Sequence, residues 1–334
     1  MEYNYTPSTA HYRAWPMRLY LADFYIKGRE KPIRIINNLD CDWGEPSPVV
    51  EIGGEPLPMP ELLVQRWWSP EEQVFYNGVV RIDTERAEQL WEAQAKYGRE
   101  KSFTHIVTGM APYGGTAIWL VGDMKSVLLQ RHQAEAVKVT PEIYEKLCND
   151  NAYKRKNIEL PPQELLVGWM HQYAYRYVVL EEYWDGERWQ LYEGNDRYYD
   201  NLDIISVEDK RTDGSFNYTD DLEMLDHHET ALPRHLCVKW KEGRTDFEAH
   251  YWFDDKLLAT MFTLFFRHHP NAKADLLVRI DTRAKEYGLA LADSDEELIP
   301  ETIPSNVYQM LVFRNNWEYY KSVNYSQEDG AWRW

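Results

Sequence analysis

The sequence predicts an α+β fold made of two tandem modules, each a mostly antiparallel β-sheet with one main helix packed on it. Three observations carry this expectation. The chain has 334 residues, more than the roughly 250–300 at which a single hydrophobic core stops growing. Two stretches repeat one pattern, WSPEEQVFYNGVVRIDTERAEQLW from Trp68 and WKEGRTDFEAHYWFDDKLLATMFT from Trp240. Trp68 pairs with Trp240, Phe75 with Phe247, Asp83 with Asp255, Ala87 with Ala259 and Leu90 with Phe262, each 172 positions apart, and after a slip of one Gly115 and Ala117 match Gly288 and Ala290. A period of about 170 residues suits a domain copied once rather than a solenoid unit. Finally, each stretch passes from period-two text into a helical pattern and back, the signature of strands around a helix.

In the first module, Arg18–Ile26 alternates apolar residues and stops at Gly28, as a strand does. Leu62–Trp68 and Val74–Ile82 flank turn-forming residues and predict a hairpin. Asp83 stands at an N-cap position, and Arg86, Ala87, Leu90, Trp91 and Gln94 follow at helical spacing until Gly98. Thr104–Met110, Thr116–Val121 and Ser126–Gln130 are three further strands, and Pro141–Cys148 a short helix. The second module repeats the order: a strand over Tyr173–Tyr183, a long polar and aromatic insertion over Asp185–Asp226, and a hairpin of Leu236–Trp240 and Asp246–Phe253. A helix over Leu257–His269 capped by Asp254 or Asp255 follows, then strands Leu276–Ile280 and Gly288–Leu291. The linker falls in Lys154–Gln163, dividing the chain into modules 1–158 and 159–334.

Composition excludes several classes of function. Apolar content of 44% with 14% aromatic residues is enough to build cores. A formal charge of −18 repels phosphate backbones and anionic lipid, so neither nucleic acid nor membrane insertion is expected, and no segment reaches the roughly 18 apolar residues a span requires. The same charge attracts a basic protein. Cys41, Cys148 and Cys237 are scattered and odd in number, which fits thiols in a reducing cytoplasm. Phosphate-binding glycine motifs, the serine-hydrolase elbow and the HExxH helix are missing from the sequence. The pairs His227–His228 and His268–His269 are adjacent, and adjacent side chains point apart, so no metal, cofactor or catalytic residue is expected.

Aromatic residues crowd two places outside the strand pattern. Trp184, Trp189, Tyr192, Tyr198 and Tyr199 interleave with Asp185, Glu187 and Asp200, and a second cluster near the C-terminus includes Trp317, Tyr319 and Tyr320. Trp and Tyr dominate binding hot spots because they bury large rigid area and keep a hydrogen-bonding tip. These residues are the candidate partner-binding set, and their acidic neighbours would select a basic surface.

Two segments carry a resemblance. Trp67, Ser69, Glu72, Phe75 and Tyr76, and then Gly109, Pro112, Gly114, Gly115, Trp119 and Gly122, are similar to the W-x-S-x-x-E-x-x-F-Y and G-x-x-P-x-G-G-x-x-x-W-x-x-G signatures of a bacterial domain-of-unknown-function family. Members of that family accompany effectors of type VI secretion systems, and the resemblance implies an immunity protein whose partner is a cognate toxin. The family supplies no catalytic residues. Many members resemble periplasmic lipoproteins, whereas MEYNYTPSTAHYRAWPMRLYL reads as no export signal, so the expected compartment is the cytoplasm. The second module lacks the Pro-x-Gly-Gly loop, which reads as a tight turn in which Pro112 fixes φ while Gly114 and Gly115 permit positive φ. The sequence thus predicts a non-catalytic immunity protein; the alternatives are a hydrolase with paired carboxylates between the modules and a carbohydrate-binding module.

Overall fold

A computed structural model of the chain describes residues 2–11, 15, 17–35, 42–47, 56–96, 102–142, 145, 172–191, 203–220, 227–282, 285–294, 300–315 and 318–323. Its contacts separate two compact units. Among the described residues, 2–145 and Asp213–Phe216 form the first, and 172–212 and 217–323 form the second. The expected linker Lys154–Gln163 and most of the expected helix Pro141–Cys148 lie outside the described residues.

The first unit contains β1 (Thr6–His11), β2 (Arg18–Tyr25), β3 (Ile33–Ile35), β4 (Leu62–Ser69), β5 (Val74–Arg81), α1 (Thr84–Ala95), β6 (Phe103–Met110), β7 (Gly115–Gly122), β8 (Lys125–Gln133) and β9 (Glu135–Val137). One sheet runs β3-β2-β4-β5-β9, and β1-β6-β7-β8 are consecutive strands of another. Asp83 caps α1 by accepting the Arg86 N–H at 3.0 Å. Ala87 and Trp91, four apart, turn the helix toward the core. There the Trp91 ring meets Tyr3, Tyr5 and Phe103 at 5.5, 6.3 and 5.6 Å. Residues of both sheets, among them Phe24, Leu63, Val80, Ile106 and Leu120, share this cluster. Truncating Trp91 to Ala would remove about 3–5 kcal/mol of packing.

The second unit contains β10 (Gln172–Trp184), β11 (Trp189–Leu191), β12 (Asp203–Arg211), the end of β13 (Phe216–Thr219), β14 (His228–Ala231), β15 (Pro233–Glu242) and β16 (Thr245–Phe253). After them come α2 (Asp255–His268), β17 (Ala274–Asp281), β18 (Glu286–Asp293), β19 (Glu301–Thr302), β20 (Tyr308–Arg314) and β21 (Glu318–Val323). Strands β12-β15-β16-β20-β21 are consecutive in one sheet; the other sheet runs β11-β10-β17-β18-β19, with β14 also on β10. Asp254 caps α2 through the Leu257 N–H at 2.9 Å. Leu258, Phe262 and Phe265 form its apolar stripe, and Arg267 and His268 sit at the end where a helix dipole favours cations. The stripe joins Trp240, Tyr251, Val278 and Leu289 in one core.

The fold is therefore α+β and dominated by strand, with three departures from expectation. Each unit supplies strands to two sheets, because its two hairpins pair into separate ladders. Two parallel pairings enter the mostly antiparallel sheets: β1 lies parallel to β6 and β10 parallel to β17. The stretch Asp185–Asp226, expected as an irregular insertion, contains β11, β12 and β13. β12 hid from a period-two reading because its inward side carries Val207 followed by the buried ion pair Asp209–Arg211. No helix among the described residues is long and apolar enough to cross a membrane.

Candidate functional site

Trp184 and Trp189 sit on strands, not in a loop. They are cross-strand partners in the β10–β11 hairpin, with ring centroids 5.6 Å apart and planes inclined by 53°. The turn between them is built by Asp185, whose Oδ1 accepts the N–H groups of Glu187 at 2.9 Å and Arg188 at 2.8 Å. Those backbone hydrogen bonds hold the Asp185 carboxyl below its usual range. Gly186, at φ 100°, makes the reversal. The Trp184 N–H donates to Asp281 Oδ2 at 2.8 Å, and Trp189 lies against the bare backbone of Gly288. Both indoles are half-buried, while Asp185 and Glu187 are exposed. Beside them the buried pair Glu182–Arg279, 2.8 Å apart, joins β10 to β17. Burial raises the Glu182 pKa and lowers that of Arg279, and each partner opposes the other's shift.

Of the remaining candidates, Tyr192, Tyr198, Tyr199, Asp200 and Trp317 lie outside the described residues. Tyr319 and Tyr320 belong to β21, where Tyr319 pairs with Phe313 of β20. They are on the other sheet of the second unit from Trp184 and Trp189.

The two sequence signatures meet in the first unit. Glu72 accepts the Tyr113 N–H with both oxygens, at 3.0 and 3.1 Å, and the Tyr76 hydroxyl donates to its Oε1 at 2.8 Å. Tyr76 packs on Trp67 with centroids 5.4 Å apart. In the loop that Glu72 holds, positive φ falls on Tyr113 (59°) and Gly114 (75°), whereas Gly115 has φ −62°. The expected turn is thus corrected by one residue. A Cβ on Gly114 would lie 2.6 Å from the Ala134 carbonyl oxygen, and the Ala134 N–H donates to the Gly114 carbonyl at 2.8 Å. Gly109 has its own reason: a Cβ there would strike both Trp119 and Trp43 at 2.5 Å. These two indoles meet edge to face at 4.7 Å, and Trp119 Nε1 donates to the Asp213 carbonyl at 3.0 Å. Both motifs are packing devices of the first unit.

A third constellation was invisible in the linear sequence. On the face of β15 and β16 turned away from the core stripe of Leu236, Val238, Ala249 and Tyr251, His235 and Cys237 face Glu248 and His250. His250 Nε2 is 2.9 Å from Glu248 Oε1, and Cys237 Sγ is 3.4 Å from the same oxygen and 4.0 Å from His250 Nε2. His250 Nδ1 is 3.0 Å from His235 Nε2. Burial, with His250 and Lys210 nearby, pushes His235 down to about 3; burial lowers His250 and, with Glu248, pushes the Cys237 thiol up. The signal that could have found this set is H-x-C on one hairpin arm and E-x-H on the other, side chains at i and i+2 sharing a face. Only the register brings the two arms together.

Residues 1–165 match the model of the family described as Protein of unknown function (DUF2931), a span that includes both signature segments. No curated protein and no solved structure matches the chain.

Proposed function

We propose that the chain is a non-catalytic binding protein, an immunity protein of the cytoplasm that occludes a cognate antibacterial toxin of a type VI secretion system. The observation that carries this reading is the Trp184–Trp189 hairpin. Two half-buried indoles are held by backbone hydrogen bonds and by contact with Gly288, beside the exposed acids Asp185 and Glu187. Such pre-ordered aromatics lose little entropy on binding, and the acids favour a basic partner. The 53° inclination of the rings suits insertion into a protein surface better than flat stacking on a sugar. Asp185 is committed to its turn and held below the usual range, the opposite of a general acid.

The two units are, in this proposal, diverged tandem copies. In favour of this, each has a hairpin, an Asp-capped helix and a second hairpin whose first strand receives a parallel partner. Trp68 is the cross-strand neighbour of Phe75, and Trp240 that of Phe247. Within the helix the equivalence shifts by one. The cap matching Asp83 is Asp254, not Asp255, and the buried Ala87 and Trp91 then match the buried Leu258 and Phe262. The copy that kept the signature loop acts as scaffold, and the other carries the recognition hairpin.

Co-expression with the product of an adjacent toxin gene tests the proposal. Rescue of growth together with a stable co-purified complex is the expected result. Neither rescue nor complex, with the chain folded and expressed, would refute it.

A further inference from the structure

We propose that Cys237, His250 and Glu248 form a binding site for a divalent transition-metal ion of the zinc class, oriented by His235. The proposal concerns a face of the second unit other than the Trp184–Trp189 hairpin and stands without the toxin reading.

Three donors of different kind, a sulfur, an imidazole nitrogen and a carboxylate oxygen, converge here. Zinc-class ions take this mixture, with bonds of about 2.0–2.3 Å. Their mutual distances are 2.9, 3.4 and 4.0 Å. A triangle with those sides has its circumcentre about 2 Å from every corner, so an ion just above it reaches all three donors with little movement. The donors come from paired strands: Cys237 and His250 are direct cross-strand partners, and Glu248 is two residues from His250 on the same face.

The surroundings fit a ligand set. A metal-bound imidazole usually gives its second nitrogen to a neighbour that fixes its tautomer and orientation. His250 Nδ1 faces His235 Nε2 at 3.0 Å. Its ring is held further by stacking on Trp252 at 5.5 Å and by the edge of Phe313 at 5.8 Å. Both histidines have lowered pKa values, so each keeps a nitrogen lone pair at neutral pH. Glu208 of β12 is the cross-strand partner of Cys237 on its other side, and its charge acts on both the thiol and His250.

Binding balances as follows. The Cys237 thiol loses one proton to solvent and its sulfur binds the ion. His250 moves its ring proton from Nε2 to Nδ1 and donates it to His235 Nε2, and His235 carries its own proton on Nδ1. Lys239, whose Nζ lies 3.4 Å from Glu248 Oε1, gives up that contact and turns to solvent. One proton is released per ion, and no oxidant or reductant is needed.

The test is a titration of the tag-free full chain with Co2+, followed by competition with Zn2+. A thiolate-to-cobalt absorption band that saturates at one ion per chain and disappears on adding Zn2+ is the expected result. Cys237→Ser, or Cys237→Ala if the serine variant misfolds by circular dichroism, loses the band. The Cys41→Ser/Cys148→Ser double variant keeps it. His235→Ala keeps the band but weakens binding by about 10–100-fold. Absence of a band in the folded wild type, its persistence without Cys237, or its loss in the double variant would overturn the site. An unchanged affinity in His235→Ala would overturn the role of His235.

Discussion

Trp189 rests directly on Gly288: a Cβ added to residue 288 would come within 2.8 Å of Trp189 Nε1 and 2.9 Å of two further indole carbons. The tryptophan keeps its place only because the strand beneath it has no side chain. Gly288→Ala should therefore displace the ring or cost about 1–3 kcal/mol as overpacking. The tryptophan emission should move to the red and affinity for the partner should fall about tenfold or more. Unchanged emission and stability would show that Trp189 does not depend on this contact.

Glu72 links the two signature segments, so its removal should loosen the loop at Tyr113 and Gly114. Glu72→Ala leaves the Tyr113 N–H and the Tyr76 hydroxyl without their acceptor and should cost about 1–3 kcal/mol in urea unfolding. Gly114→Ala meets both a φ of 75° and the Ala134 carbonyl oxygen, and should cost at least as much. A neutral result for both would mean that the motifs do not serve packing.

The helix caps give a matched pair of tests. Asp83→Ala and Asp254→Ala each remove one hydrogen bond to an otherwise orphaned helix N–H, at a cost of about 1 kcal/mol apiece. Hydrogen exchange at Arg86 and Leu257 should accelerate in the corresponding variant. If Asp254→Ala leaves Leu257 protected, the cap has been assigned to the wrong residue.

His235 ties stability to pH. Its folded-state value of about 3 lies below the ordinary 6.5, so protons bind the unfolded chain first. The contribution is fully present above pH 6.5 and is lost as pH falls through 6.5 toward 3. Its size is on the order of 5 kcal/mol at most. His235→Phe, which keeps an aromatic ring, should flatten the slope of unfolding free energy between pH 6.5 and 4. An identical slope in wild type and variant would contradict the burial of a neutral imidazole.

The central hairpins and helices were legible in the sequence because their apolar residues recur at a single clean period. Phe247, Ala249, Tyr251 and Phe253 obey the period of a strand and Leu258, Phe262 and Phe265 that of a helix, and each helix begins at an aspartate. Two strands, β1 and β12, were not legible, because polar groups fill their inward positions. β1 places Ser8, Thr9 and His11 inside, and β12 closes Asp209 on Arg211, so neither shows apolar alternation. The parallel pairing of β1 with β6 and of β10 with β17 is a long-range choice that local text does not encode. At the candidate site, the aromatic density at Trp184 and Trp189 was plain, but their strand geometry depended on Asp185 folding the turn. The Cys237–His250 contact required the register of β15 on β16.

Backbone hydrogen exchange of the chain with and without its co-purified toxin tests most directly whether the Trp184–Trp189 hairpin is the recognition element. The binding account predicts slowed exchange across residues 184–189 in the complex, and loss of the complex in a Trp184→Ala/Trp189→Ala variant that remains folded. Unchanged exchange there, or full affinity in the folded double variant, would contradict it.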